Sequence, residues 1–209
     1  MGKLVLATIT ISGSAKWLLK VGGNKEKWYG SDRIFMYVMT VFGAMTVNYS
    51  EQCTEYGWVV SNLRLLAGCL LAGGLLSAAY MDRRNCWVYN YVWWWCLPWA
   101  GILGLTAGGG FHGIVAVLVF VMLQQLLFSR MYGKADCHAF SVCALAECGN
   151  AVGMVGFLLQ MFLSVVLLTI VQLFRGNVTP RGRLREPQPF IPYIITAFFS
   201  VTFLESVFR

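Results

Sequence analysis

The sequence predicts an all-α fold, a polytopic transmembrane helical bundle of about six to seven membrane segments, on three observations. The first is composition: of 209 residues 58% are hydrophobic and 12% charged, against roughly 45–50% and about 25% in a soluble domain, and the mean hydropathy is +0.64. The second is that the apolar residues gather into runs near the roughly 20 helical residues that cross a hydrocarbon core of about 30 Å. The third is that lysine and arginine keep to alternate connections between those runs. This excludes a soluble enzyme, a disordered tail and a nucleic-acid module. The net charge of +7 belongs to loops at the bilayer surface and not to phosphate binding.

Taken in order, residues 1–33 read as an N-terminal cytoplasmic or interfacial segment and residues 34–209 as one transmembrane domain. The opening stretch has the basic residue and apolar run of a signal peptide, but the run is short and β-branched and no small-residue cleavage site follows, so it is expected to be retained. Its apolar part, residues 4–17, is too short to span and carries Lys16, with Lys20 just beyond, which suits an interfacial segment. Six spans are expected at about 34–49, 58–81, 88–106, 113–128, 152–174 and 190–208, with a shorter piece at 137–148. Gly73 and Gly74 lie inside a span, where small residues let helices approach. The Ala-Gly-Gly-Gly at 107–110 is a turn, and residues 175–189 have loop character. Seven cysteines form no CxxC pair, and several lie in apolar runs as small hydrophobes, so neither a disulfide framework nor a zinc site is expected.

Orientation follows from the loops. With the N-terminal segment in the cytoplasm and the short piece counted as a crossing, 14 of the 16 basic residues fall on the cytoplasmic side. The outer loops, around Glu51 and Glu55, around 107–110 and around Glu147, carry none; Arg64 lies within a span and Arg209 ends outside. This is a positive-inside pattern. It favours a true crossing at 137–148 over a re-entrant half-helix, because dropping that crossing would move the arginines of 175–185 outside. Arg64 is expected to snorkel or to pair with a polar group. Gln124, Gln125, Gln160 and Gln172 suit interhelical hydrogen bonds. Trp87, Trp93, Trp94, Trp95 and Trp99 suit an interfacial or packing surface, and His112 a solvated position.

Ionisable residues at a membrane boundary are costly unless they pair or work. Of three aspartates, Asp82 ends the second span and Asp136 opens the short crossing, 54 residues apart and on the same expected face. Two carboxylates facing one water can share a proton, one acting as base while the other protonates, because close like charges split their pKa values. The plain alternative is structural: Asp82 would pair with Arg83 and Arg84 at the surface, and Asp136 would cap a helix after a glycine turn.

Three motifs bear on the choice. Asp82 to Asn90, D-R-R-N-C-W-V-Y-N, resembles the segment of type IV prepilin peptidases in which an aspartate ends a transmembrane helix and Ile-Pro-Asn follows, with Val88, Tyr89 and Asn90 in those places. Gly133 to Asp136, G-K-A-D, resembles the GxGD that carries the second catalytic aspartate of that family and of the wider GxGD intramembrane proteases. Pro189 to Tyr193, P-F-I-P-Y, is similar to the Pro-Phe-x-Pro-Phe before the last helix of those peptidases. Together they cover the chain from about residue 58 to 208. The departures are Tyr89 for proline, Ala135 for the second glycine, and His138 for a lysine; alanine gives up access to positive φ, and histidine offers a cation only near or below neutrality.

The resemblance implies an aspartic endopeptidase of the plasma membrane, multi-pass, with catalytic Asp82 and Asp136 on the cytoplasmic side. It implies Gly133, His138 and Asn90 as substrate-positioning residues and needs no metal or cofactor. The expected partners are the lipid bilayer and a pilin-like precursor whose short leader is removed at the membrane interface; no nucleic acid is expected. The paired CxxC region of larger members has no counterpart here, so the short form without N-methylation is implied. Two alternatives stay open: an inactive homologue that binds pilin-like helices as an assembly factor, and a small membrane transporter subunit. The last predicts midplane ionisable groups and inverted repeats, neither of which is visible.

Overall fold

The computed structural model of the chain describes residues 2–23, 30–52, 57–107, 111–130, 133–148, 153–175 and 188–208. Among them are eight α-helices and no strand: α1 (Gly2–Val21), α2 (Gly30–Gln52), α3 (Trp58–Asn85), α4 (Asn90–Thr106), α5 (Phe111–Leu126), α6 (Lys134–Glu147), α7 (Gly153–Phe174) and α8 (Ile191–Val207). The expected turn at 108–110, the loop over 176–187, Glu55 and the side chain of His112 lie outside the described residues. By length and composition α1, α3 and the Val155–Phe174 part of α7 can each cross a membrane, while α8 and the Gly113–Leu126 part of α5 are apolar but shorter.

The N-terminal segment differs from its expected form. Residues 4–17 belong to a 20-residue helix, because Lys16 and Lys20 end the apolar count without ending the helix; lysine is a good helix former and both project outward. Ala7, Ile11, Ala15 and Leu18 recur every three or four residues, giving one buried face. That face packs on α3. Gly73 and Gly74 make the approach possible: a Cβ on Gly73 would stand 2.9 Å from the Ile11 carbonyl oxygen and against Ser14 of α1, and one on Gly74 would stand 3.0 Å from the Trp95 ring of α4. The glycine pair therefore seats α3 between α1 and α4, as close helix packing requires.

Two helices organise the rest. The long α3 contacts α1, α2, α4 and α8, the shorter α6 contacts α4, α5, α7 and α8, and so α4 and α8 touch both. Tyr80 of α3, Phe140 of α6 and Phe199 of α8 are among the largest fully buried side chains. Outward-facing Leu118, Met122 and Leu126 of α5 and Leu158, Phe162 and Leu173 of α7 are exposed. An apolar belt of that kind is the surface a lipid environment accepts. The Trp residues divide: Trp93 is buried, Trp87 and Trp94 are exposed, and Trp95 packs 5.2 Å from the ring of Trp17.

α3 runs from Arg64 to Asp82 and α6 from Asp136 to Glu147, so the aspartates share one end of the bundle and Arg64 and Glu147 the other. Arg64 does pair with polar groups: its Nη1 donates to the Leu103 carbonyl at 3.1 Å and to Thr106 Oγ1 at 3.0 Å. Glu147, inside the short piece expected at 137–148 and next to an expected outer loop, is the last residue of α6 and is 4% exposed. Its Oε1 lies 3.0 Å from the Thr202 hydroxyl of α8, which also lies 2.8 Å from the Phe198 carbonyl, and its Oε2 has no hydrogen-bond partner among the described residues.

Candidate active site

Asp82 lies in the last turn of α3, and the way that helix stops sets the site. Cys86 takes a left-handed conformation, φ 50° and ψ 31°, and its N–H donates to the Asp82 carbonyl oxygen at 2.8 Å. That is a left-handed helix cap carried by a residue other than glycine. The chain then runs through extended Tyr89 into α4, which begins at Asn90.

The carboxylate of Asp82 is 6% exposed, and its partners come from the far side of the sequence. Pro189 and Pro192 have no N–H, so the amides of Phe190 and Ile191 are the donors between them. Both donate to the Asp82 carboxylate, Ile191 to Oδ2 at 3.0 Å. They belong to the start of α8, where unpaired amides and the helix dipole favour an anion. The third motif read from the sequence therefore grips the first.

Asp136 is the third residue of α6, behind the N-cap Gly133, whose N–H donates to Asp136 Oδ2 at 3.1 Å. This is the half of a capping box in which an acidic side chain reaches back to the N-cap amide. Each aspartate thus has an oxygen anchored by backbone at a helix N-terminus. Both carboxyl groups line one cavity of ≈ 600 Å³, and the charge of Asp82 acts on Asp136.

All five residues singled out from the sequence, Asp82, Asn90, Gly133, Asp136 and His138, line this cavity. Gly133 has φ −64° and ψ 151°, open to any residue; what calls for glycine is space, since a Cβ there would stand 3.1 Å from Asp136 Oδ2. Ala135 sits in the first turn of α6, where no positive φ is needed; Cys86 is the non-glycine residue with positive φ among those described. The alanine departure therefore costs the loop nothing. His138 lies 6.1 Å from the ring of Trp93, with its Nδ1 3.3 Å from Gln125 Nε2.

Arg83 and Arg84 turn to Asp32 at the start of α2, with Nε–carboxylate distances of 2.9 and 3.2 Å, while Asp82 takes its donors from backbone. Trp87 and Trp93, read from the sequence as an interfacial or packing surface, also line the cavity, as do Lys134 and Gln188, which were not singled out. Lys134 stood inside a recognised motif and was legible; Gln188 belongs to a loop and reaches the site through a hydrogen bond from Gln172 Nε2 at 3.2 Å, which no spacing announces. Partial desolvation, then the neighbouring Asp82 charge, pushes the Cys86 thiol up from its ordinary value. It stays protonated near neutrality and supplies no nucleophile.

Two carboxyls on one cavity, with the charge of one acting on the other, favour a state in which only one of them is ionised. Comparison with known protein families, with curated proteins and with solved structures finds no match for the chain.

Proposed function

We propose that the protein is a membrane-embedded aspartic endopeptidase that removes the short cytoplasmic leader of a prepilin-like precursor at the membrane interface. The observation that carries this reading is the meeting of Asp82, from the end of α3, and Asp136, from the start of α6, in one cavity. Like charges brought together at a bilayer boundary raise the free energy of the fold, and a shared proton doing chemistry is the reason to keep them. The motifs at 82–90, 133–136 and 189–193 support the same reading, because their residues converge at this end of the bundle. The distribution of basic residues supports a cytoplasmic position for that end.

In the proposed cycle the ionised aspartate takes a proton from water as its oxygen attacks the scissile carbonyl carbon. The protonated partner gives its proton to the carbonyl oxygen. The tetrahedral intermediate then collapses: the C–N bond breaks, the amine leaves with a proton from one aspartate, a hydroxyl of the gem-diol returns its proton to the other, and the leader's new carboxyl is released with the dyad again holding one proton. The pair titrates as a unit, so both roles belong to the dyad and not to one residue. Cleavage is expected to be bell-shaped in pH, falling on the acid side as the dyad gains a second proton and on the alkaline side as it loses its only one; initial rates in membranes across pH check this, and a flat profile counts against a shared proton.

The test is co-expression with a pilin-like precursor from the same genome, followed by gel mobility of the precursor. Wild type shortens it, and neither Asp82→Asn nor Asp136→Asn does. Cleavage that survives in either variant refutes the two-aspartate mechanism, and a precursor that is bound but never cut supports an assembly factor instead.

A further inference from the structure

We propose that Gln125 of α5 is a positioning residue that holds His138 as one neutral tautomer, protonated on Nε2, so that an uncharged donor and not a cation borders the aspartate cavity. Its catalytic consequence rests on the peptidase reading; the tautomer itself does not.

The assignment follows from a chain of hydrogen bonds whose directions are forced in turn. Ser141 Oγ donates its one proton to the Cys137 carbonyl at 2.7 Å, so towards anything else it can only accept. Gln125 stands 3.3 Å from Ser141 Oγ, and the atom there must therefore be its amide nitrogen, Nε2. That settles which way the amide points, since the two ends of a glutamine amide have nearly the same shape and only their partners tell them apart. The same Nε2 lies 3.3 Å from His138 Nδ1 and has a second proton to give. Nδ1 is then an acceptor, and the ring's proton resides on Nε2. An imidazolium would place an Nδ1–H against the Gln125 amide protons, donor facing donor.

Other groups at this ring pull both ways. Lys134, on α6 as His138 is, opposes a second positive charge, whereas Asp136 of α6 and Asp82 of α3 favour one. The cavity wall is completed by the Cys86 thiol and the neutral Asn90, Trp93 and Gln188. Burial of the ring also disfavours a cation, and the Gln125–Ser141 pair decides which nitrogen of the neutral ring carries the proton. The consequence for the dyad is direct: an imidazolium beside it would stabilise both aspartates as anions and strip the proton they must share.

The experiment uses the full chain in nanodiscs with ¹⁵N-labelled histidine. The sequence holds only two histidines, and His112→Asn assigns the other. For wild type, Nδ1 of His138 is expected to show the unprotonated and Nε2 the protonated signature between about pH 6 and 8. Gln125→Glu, which can accept from Nδ1–H but not donate, moves the proton to Nδ1 or charges the ring, and Gln125→Met abolishes the tautomer preference. In the cleavage assay Gln125→Glu shifts the alkaline limb of the pH profile to lower pH by about one unit, while Gln125→Met lowers kcat about tenfold, the size of one hydrogen bond, with KM little changed. An Nδ1–H or imidazolium signature in wild type near neutrality overturns the proposal. So does a His138 signature that neither variant alters. If the signatures behave as expected and no precursor is cut, the peptidase reading falls and the positioning of His138 by Gln125 stands.

Discussion

At one end of the bundle α3 and α6 deliver two acids, Asp82 and Asp136, to a cavity of ≈ 600 Å³; at the other end the same helices deliver a base and an acid, Arg64 and Glu147, to a cavity of ≈ 60 Å³. The smaller site has room for little more than water. Its charged groups are met by a carbonyl and by the hydroxyls of Thr106 and Thr202, so they link neighbouring helices together. At the larger site the carboxylates take backbone amides at two helix N-termini and face a space that a peptide can enter. A buried arginine and a buried carboxyl, each tied to a neighbouring helix by hydrogen bonds, make the arrangement of a brace. Paired charge of one sign, fixed by backbone and open to a cavity, is the arrangement of a reactive centre.

Several substitutions would break or sharpen this contrast. The largest effect is expected at the open end: Asp82→Asn or Asp136→Asn lowers the rate of precursor cleavage by about 10²- to 10⁴-fold. Asparagine keeps a side-chain oxygen for the Ile191 or Gly133 amide, so thermal unfolding in detergent should register a change below about 1 kcal/mol. Arg64→Ala reverses the pattern. It removes the hydrogen bonds to Leu103 and Thr106 and opens a void, for an expected loss of about 2–4 kcal/mol, with cleavage retained below the unfolding temperature. If Arg64→Ala instead abolished cleavage in a folded protein, the division of labour between the two ends would be wrong.

Gly133→Ala is a finer probe. Its Cβ would meet Asp136 Oδ2 at 3.1 Å, displacing the carboxyl by a few tenths of an ångström, and kcat should fall about tenfold with stability nearly unchanged. The smallest effect is expected at the turn that closes α3. Cys86→Gly relieves a left-handed residue and should raise stability by about 0.5–1 kcal/mol, less the entropy glycine gains when unfolded. Cys86→Val should do the opposite, as unfolding midpoints would show.

Much of this fold was readable because apolar runs are long and loops are short. The runs at 88–106, 152–174 and 190–208 coincide within two residues at each end with α4, α7 and α8. The N-terminal helix was cut short in the reading because Lys16 and Lys20 ended the apolar count, although a helix carries a lysine on its outer face without interruption. The five cavity residues were found through their motifs, and two acids at matching ends of two spans are visible in any linear reading. The donors that fix them were not. A backbone N–H has no letter of its own, and the grip of Phe190 and Ile191 on Asp82 depends on a fold that brings α8 against α3. Gln125 looked like any interhelical amide, since a sequence does not say which way a hydrogen bond points. The burial of Glu147 was not legible for a related reason: its hydroxyl partner, Thr202, lies on a helix far along the chain.

The contact between Ile191 and Asp82 joins residues 109 positions apart, and this sets an order of assembly. During synthesis Asp82 enters the membrane region long before the amides that hold it exist, and Asp136 precedes them too. Until α8 docks, the Asp82 carboxyl lacks the backbone donors that fix its direction. A nascent chain of this protein therefore carries both acids before the backbone donors of Asp82 exist, and a peptidase of the kind proposed would stay silent until α8 is in place.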